Sequence, residues 1–549
     1  MINRPTDYTA TIKFNGMICE FTDTLELPEL TAKLICGEDR VRIRIVPAQE
    51  IEFDEISVEA KLTVGEKDRV FMNGYQSWTD SREYGTSEKM RGINHIPMPI
   101  VRKFSFDRYG DYRIIGYTSR KGDFHGFSYC YLRNGDEYML LGSVSERPGF
   151  TIFELFSGHE KLRISRDCSK ALYSEPFDAI DVCVLCGNED EVFDRWFSLM
   201  GIAKPKAKPL FGYTSWYRHY QDISEKKLLH DLDAILKSGA RQDIFQIDDG
   251  YQTAVGDWLS IDKKKFPEGI AKISSIAHKR GLMSGLWLAP FVCERNSEIF
   301  RTKQHWLLKD EEGKPLSAGC NWSGSYALDP QNEEVREYLR GVFRTVFDDW
   351  GFDLVKLDFL YAACIIPQHG KSRGQLMCEA MDFLRECVGD KLMLGCGVPL
   401  MPAFGKADYC RIGCDVGLSW NDSKIMQQTH RERVSTKNSI LNTIFRRQLN
   451  GRAFLNDPDV FLLRDSGISL FNSQKQILAL VNHLFGSVYF TSDDVSCYDE
   501  KQLKLLRTAR RWASAKVSSV KWNNGKVSFT VTIDGKSRII TLLPDGRIE

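Results

Sequence analysis

Five apolar runs after residue 240 end on carboxylates. IFQIDDG (244–250) ends in Asp248 and Asp249, and DLVKLDFL (353–360) carries Asp358. YCRIGCDV (409–416) carries Asp415, FLNDPDV (454–460) Asp457 and Asp459, and SVYFTSDD (487–494) Asp493 and Asp494. Gathering like charges is costly, so such a set fits a ligand offering many hydroxyl groups, or a cation. Lys356 precedes Asp358 by two, which puts both on one side of a strand. An ammonium there keeps a carboxylate ionised, as a nucleophile requires. Arg411 precedes Asp415 by four, the same side again if the strand is regular. Taken singly, each pair reads as an interior ion pair; two pairs with the acidic set favour catalysis. Asp248 and Asp249 are adjacent, so both reach one ligand only where the strand breaks, as Gly250 suggests. Neighbouring sugar hydroxyls, a helix cap or a metal would each use such a pair. Only 10 His occur, with no HxH, HExxH or EF-hand spacing, and no metal is expected. Trp216, Trp258 and Trp287 lie at or just beyond the ends of the apolar runs 211–217, 244–250 and 282–290, where aromatic faces could stack on sugar C–H groups.

These residues need a scaffold that brings strand ends together. From FGYTSWY (211–217) onward, eight strand candidates alternate with amphipathic helices. The others are 244–250, 282–290, 353–360, 392–399, 409–416, 454–460 and 487–494. The helices include SEKKLLHDLDAILKS, KISSIAHKR, EEVREYLRGVFRTVFDDW and SRGQLMCEAMDFLREC. Eight β/α units predict a (β/α)8 barrel, whose strand C-termini surround one mouth. A doubly wound sheet is the alternative, but no GxGxxG follows a strand. Upstream, TATIKF, RVRIRIV, ISVEAKLTV, YRIIGYTS, EYMLLGSV and FTIFELF read as strands of an antiparallel sandwich. A helix over 191–200 and the stiff KPKAKP linker (204–209) follow. The tail carries hairpin signals at Asn524-Gly525, Asp534-Gly535 and Asp545-Gly546. The expected parts are therefore a β-sandwich (1–190), a helix and linker (191–209), the barrel (210–495), and a last barrel helix with a small C-terminal antiparallel β-domain (496–549).

The 549 residues suit about three domains. Lys plus Arg and Asp plus Glu are both 74, which argues against nucleic-acid binding. The hydrophobic share of 42% excludes a disordered chain, and Gly 42 with Pro 18 exclude collagen-like and low-complexity classes. No signal peptide or membrane span is read. The 15 Cys, odd in number and scattered, read as reduced cytoplasmic thiols rather than disulfides or a zinc site. On that reading the glycosylation patterns at Asn321-Trp-Ser and Asn421-Asp-Ser are accidental.

Taken in order, NGYQSW (73–78), SWY (215–217), FQIDDGYQ (245–252), GDW (256–258), GLWLAPF (285–291), YALD (326–329), VKLDFLYA (355–362), LGCGVP (394–399), RIGCDV (411–416), LNDPD (455–459) and SDD (492–494) resemble the retaining α-galactosidases of glycoside hydrolase family 36. The resemblance implies an N-terminal β-supersandwich, a (β/α)8 barrel and a small C-terminal β-domain. It implies Asp358 as nucleophile and Asp415 as general acid/base. It further implies Asp248 and Asp249 on O4 and O6, and Lys356 and Arg411 as hydroxyl-binding cations. Cys396 and Gly397 would lie near the 2-hydroxyl, Trp216 and Trp287 against the sugar, and Trp78 would be contributed by the β-domain. The implied activity is exo-acting hydrolysis of small α-galactoside oligosaccharides such as melibiose and raffinose, with no cofactor. An α-N-acetylgalactosaminidase, another α-glycosidase of the family, or a raffinose-synthase-like transglycosylase is the alternative. A sugar-binding protein without catalysis is disfavoured because both catalytic carboxylates are present. Both monomers and homo-oligomers are compatible with the resemblance. The chain departs from the pattern at Val398, at GLSW (417–420) and over 364–373.

Overall fold

The computed structural model describes residues 2–523 and 525–549. The N-terminal strands form two antiparallel sheets. The six-stranded sheet runs Asp123–Phe127, Thr151–Phe156, Lys161–Arg166, Glu55–Lys61, Thr6–Phe14, Met17–Phe21. The eight-stranded sheet runs Thr24–Glu26, Leu30–Cys36, Arg40–Pro47, Phe177–Gly187, Glu137–Ser143, Tyr129–Asn134, Arg69–Met72, Glu83–Gly85.

The pleat explains why the middle strands of the larger sheet are apolar throughout. Side chains alternate between faces: Val70, Met72, Cys130, Leu132, Met139 and Leu141 enter the sandwich core. Their neighbours Phe71, Tyr129, Tyr131, Tyr138 and Leu140 face the other way, into a core continuous with the barrel. Tyr131 pairs with Phe71 across the ladder, and their rings stack at 4.7 Å. Over this second face lies helix Glu189–Leu199, opened by a capping box between Asn188 and Glu191. Its Trp196 donates to the Ser143 carbonyl at 2.7 Å and lies over Gly142, where a Cβ would stand 2.5 Å from the indole nitrogen.

One expected strand is absent. Residues 112–119, read as YRIIGYTS, form turns. Buried Asp111 sets them: its carbonyl accepts from the Ile114 and Ile115 amides, and its carboxylate binds Tyr117 and His125 at 2.7 and 2.9 Å. Just before it stands a short helix, Met98–Phe104.

The barrel strands are Leu210–Thr214, Ile244–Ile247, Met283–Leu288, Leu354–Leu357, Leu392–Gly395, Tyr409–Arg411, Leu455–Asp457 and Val488–Thr491. Each pairs in parallel with the next through the seventh, and the eighth pairs with the first. The ring closes by a break in the seventh strand. Leu455–Asp457 pairs with the sixth, the chain turns at Asp459 (φ 73), and Val460–Phe461 pairs with the eighth. The four helices read from the sequence are present, with side-chain caps from Ser224, Asn332 and Ser372 on three of them.

Sandwich and barrel interlock at the loop 73–80. Ser77 N–H donates to the Val398 carbonyl at 2.9 Å. Fully buried Arg446 donates to Asn73 Oδ1 (3.0 Å) and to the carbonyls of Ser77 (2.6 Å), Ile412 (2.8 Å) and Gln76 (3.1 Å). No carboxylate among the described residues forms an ion pair with it, and burial lowers its pKa to about 10.

The tail is a three-stranded antiparallel sheet, Lys516–Asn523, Lys526–Ile533, Lys536–Leu542. Asp534 (φ 50) and Gly535 (φ 74) form its second hairpin turn, as read; Asn524 lies outside the described residues. Asp545-Gly546 turns back to bridge Leu542 with Ile548. The segments 417–420 and 364–373 make packing contacts. Trp420 donates to the Pro544 carbonyl at 2.9 Å, Tyr75 touches Cys364 at 3.4 Å, and Arg373 binds Asp167 at 2.8 Å.

Candidate functional site

A cavity of about 520 Å³ opens at the C-terminal ends of the barrel strands. Trp78, Trp216, Asp248, Asp249, Trp287, Lys356, Asp358, Arg411 and Asp415 all line it. A larger cleft of about 940 Å³, mostly basic and polar, lies across the 421–438 segment and holds none of the strand-end carboxylates.

The second strand stops at Ile247, so Asp248 and Asp249 stand in its loop, as Gly250 foretold. Gly250 (φ 117) passes so close to Gln221 that a Cβ would meet its carbonyl oxygen at 2.5 Å. Asp248 Oδ2 accepts from Lys356 Nζ at 2.8 Å and Gln246 Nε2 at 2.9 Å. The sequence pairs Lys356 with Asp358; in the structure its direct ion pair is with Asp248. The reason is the barrel interior: Asp248 follows the second strand and Lys356 lies on the fourth, and side chains of alternate strands meet in one layer inside the ring. Burial would lower the Lys356 pKa, but attraction to Asp248 and Asp358 outweighs it and holds the ammonium charged. Asp249 accepts from Trp322 (2.8 Å), Gln221 (2.9 Å) and Gln252 (2.6 Å); burial nonetheless raises its pKa.

Asp358 follows the fourth strand. Its Oδ2 accepts from Trp287 Nε1 at 3.1 Å and its Oδ1 from the Phe359 amide at 2.9 Å. Trp287 lies on the third strand, in register with Lys356.

The sixth strand ends at Arg411, so Asp415 is not on a regular strand. Its loop returns to Arg411 all the same, with Nη1 to Asp415 Oδ1 at 2.9 Å. The same guanidinium reaches Asp457 Oδ2 (3.0 Å) and Asp459 Oδ1 (2.9 Å). Tyr217 donates to Asp459, as does the Val416 amide at 2.9 Å. Burial pushes Asp459 up to about 6 against the pull of Arg411. Asp415 is raised too, by desolvation first, with Asp358 and Asp248 adding repulsion to oppose Arg411 and Lys356. Its side chain is 40% exposed, but to the walled cavity. Of the six carboxylates gathered here, Asp249, Asp415 and Asp459 have raised pKa values, each with burial as the largest cause.

Trp78 reaches the cavity from the sandwich. It donates to Cys396 Sγ at 3.4 Å and stands edge-on to Phe359 and Tyr361. Cys396 and Gly397 themselves do not line the cavity; they back Trp78. Gly397 (φ 58) leaves room for the indole, which a Cβ would meet at 2.8 Å. Trp258 is fully buried, edge-on to Trp287 at 5.7 Å, and is core.

The sequence reading missed Trp322, Gln221, Tyr109, Phe104, Phe106 and the wall formed by Asp422, Met426, His430, Glu432, Arg433 and Val434. Trp322 carried a signal, being a tryptophan in a polar loop after the third strand. Its neighbour Asn321 accepts from Tyr109 Oη at 2.8 Å, binding the barrel loop to the sandwich.

A barrel mouth lined by carboxylates, the cations Lys356 and Arg411 and four indoles, and walled by a β-sandwich, resembles the sites of glycoside hydrolases. The Melibiase family model matches residues 202–375. Alpha-galactosidase Mel36A of Lactobacillus acidophilus is 28% identical over 210 residues, 35% of this chain and 28% of that protein. Alpha-galactosidase AgaA of Geobacillus stearothermophilus is 26% identical over 165 residues, 29% of this chain and 22% of that one. These alignments span less than a third of the length of the curated relatives. The structure of TtGalA, an α-galactosidase from Thermus thermophilus in complex with p-nitrophenyl α-D-galactopyranoside, superimposes with a TM-score of 0.72 at 26% identity, covering 96% of this chain and 98% of that one. AgaA shares the fold, with a TM-score of 0.61 at 12% identity. The chain thus resembles the α-galactosidases of glycoside hydrolase family 36 in sequence motifs and in architecture. Among the described residues no helix is long and apolar enough to cross a membrane.

Proposed function

We propose that this protein is a retaining, exo-acting α-galactosidase that removes terminal α-galactosyl residues from small oligosaccharides. One observation carries the reading: two carboxylates of one cavity stand in unlike surroundings. Asp358 accepts hydrogen bonds on both oxygens, as an ionised nucleophile does. Asp415 has its pKa raised by desolvation, as a proton donor needs. Asp358 attacks the anomeric carbon while Asp415 protonates the departing glycosidic oxygen, giving a covalent glycosyl-enzyme. Asp415 then takes a proton from water, which attacks the same carbon with net retention. Asp248 and Asp249 accept from the axial O4 and from O6, Lys356 and Arg411 hold the carboxylates and hydroxyls in place, and Trp78, Trp216 and Trp287 flank the ring. No step needs a cofactor. The relatives' names and the galactoside-bound TtGalA support the glycone. Cytoplasmic residence belongs to the same reading, since all fifteen cysteines are free thiols. A panel of nitrophenyl α- and β-glycosides tests it, including the 2-acetamido-α-galactoside. Turnover confined to the α-galactoside, with α-galactose as the first product by NMR, is expected. Preference for another glycone, or β-galactose first, would refute it.

A further inference from the structure

The cavity changes chemistry with depth. At its base Asp248 and Asp249 are 2% exposed, and Lys356, Asp358 and Arg411 are also buried. At its mouth stand Phe104, 43% exposed, and Val434, 49% exposed, with Phe106 and Met426 between. An exo-acting enzyme takes the terminal sugar in first, so the group it is attached to lies against this mouth.

The polar groups there are largely committed to one another. Asn321 accepts from Tyr109, Gln221 donates to Asp249, and Arg433 faces Asp422 at 3.6 Å. Glu432 accepts from Thr79 and Tyr112. Of the buried polar atoms of this wall, His430 Nδ1 and Arg433 Nε have no hydrogen-bond partner among the described residues; a sugar or other hydroxylated aglycone finds few others.

The apolar surface also continues outward. Ile100 lies four residues before Phe104, on the same face of helix Met98–Phe104. Ile100 is 44% exposed and Ile425, beside Met426, is 80% exposed. Contiguous exposed apolar surface around a cavity mouth marks a binding surface. Two separate segments supply it, one from the sandwich and one from the loop after Asp415, and they converge at the cavity.

We infer that the aglycone this enzyme is built to take is a hydrocarbon chain: its preferred substrate is an amphiphilic α-galactoside, with the sugar in the acidic base and the chain lying across Phe104, Phe106, Met426 and Val434. The inference rests on the α-galactosidase reading, keeps its glycone and mechanism, and sets a hydrocarbon aglycone above the oligosaccharide one. Burial of each methylene contributes a roughly constant increment, so the effect grows with chain length.

The test is a series of alkyl α-galactosides, methyl, butyl and octyl, each below its micelle concentration. Their leaving alcohols differ little in acidity, so kcat/KM reports aglycone contact rather than leaving-group chemistry. The octyl-to-methyl ratio should be on the order of tenfold or more, and octyl α-galactoside should outperform raffinose. Phe104→Ser and Val434→Ser should each pull the ratio toward one, a readout that overall damage to the enzyme does not move. A ratio near one in the unaltered protein, with methyl α-galactoside still hydrolysed, would overturn the hydrocarbon aglycone and leave the α-galactosidase standing. A ratio that stays high in both serine variants would overturn the assigned surface. Failure to hydrolyse any α-galactoside, methyl included, would overturn both readings.

Discussion

Replacing Asp415 by alanine should separate a proton donor from an ion-pair partner. Arg411 loses one of three carboxylates and keeps Asp457 and Asp459 at 3.0 and 2.9 Å, so the buried cation is not orphaned. The truncated side chain was 40% exposed to the cavity, so water can fill its place. The stability cost should therefore stay within about 1 kcal/mol, the range of substitutions that open no sealed void and strand no charge. The kinetic cost should depend on the leaving group. Melibiose, whose leaving group would depart as a poor sugar alkoxide, should lose about 10²–10⁴-fold, the worth of general acid–base catalysis, or roughly 2.7–5.5 kcal/mol of barrier. Dinitrophenyl galactoside needs no proton to depart. It should glycosylate Asp358 rapidly and then stall, giving a stopped-flow burst followed by slow turnover. The pH profile supplies a second readout. Desolvation raises the Asp415 pKa, so the unaltered protein should lose activity on melibiose as pH rises through that value and the proton is lost. The alkaline limb should vanish in Asp415→Ala. Equal slowing of both substrates, with the limb unchanged, would show that Asp415 only positions Arg411.

Asp358→Ala should abolish turnover, and external azide should partly restore it as the β-galactosyl azide, identified by NMR; the α-azide would contradict the assignment. Asp249 accepts from three side-chain donors. Asp249→Asn would turn an N–H₂ toward at least one of them, and should reduce kcat and raise KM together on nitrophenyl α-galactoside; unchanged constants would remove Asp249 from the site. Gly397→Ala places a Cβ at 2.8 Å from Trp78 in a backbone of φ 58. It should lower stability by about 1–3 kcal/mol, read by denaturant titration, and raise KM as the indole is displaced. Nitrophenyl α-glucoside should be turned over far more slowly than the α-galactoside if Asp248 and Asp249 accept from an axial O4 as proposed; equal rates would refute that role.

How far the sequence could be read follows from what each signal depends on. All eight barrel strands were legible because buried parallel strands are short apolar runs ending in polar loops. Their ends were not: each run was read too long, since it was carried through to the carboxylates or loop residues that stand past the last ladder bond. For Asp358 this did no harm. For Asp415 it gave the right pairing with Arg411 for the wrong reason, because the contact comes from a returning loop. Residues 112–119 show strand alternation, yet one buried acid, Asp111, captures the local amides and folds them into turns. The mouth was invisible for a different reason. Phe104, Val434 and Trp322 are brought to the cavity by three unrelated segments, and no spacing within one segment encodes that convergence.

Arg446 bears on how such a protein can be divided. Three of its four partners, Asn73, Gln76 and Ser77, lie before the linker, and one, Ile412, lies after it. Cutting the chain at 204–209 would look natural on paper, yet would leave a barrel with a bare guanidinium in an apolar breach. It would also lack Trp78, one wall of its own cavity. Recombination between related chains would meet the same obstacle: a foreign sandwich works only if it presents the same carbonyls to Arg446 and the same serine to Val398. The unit that can be inherited, grafted or engineered intact therefore straddles the linker, and the apparent boundary between the two halves is a hinge in the sequence only.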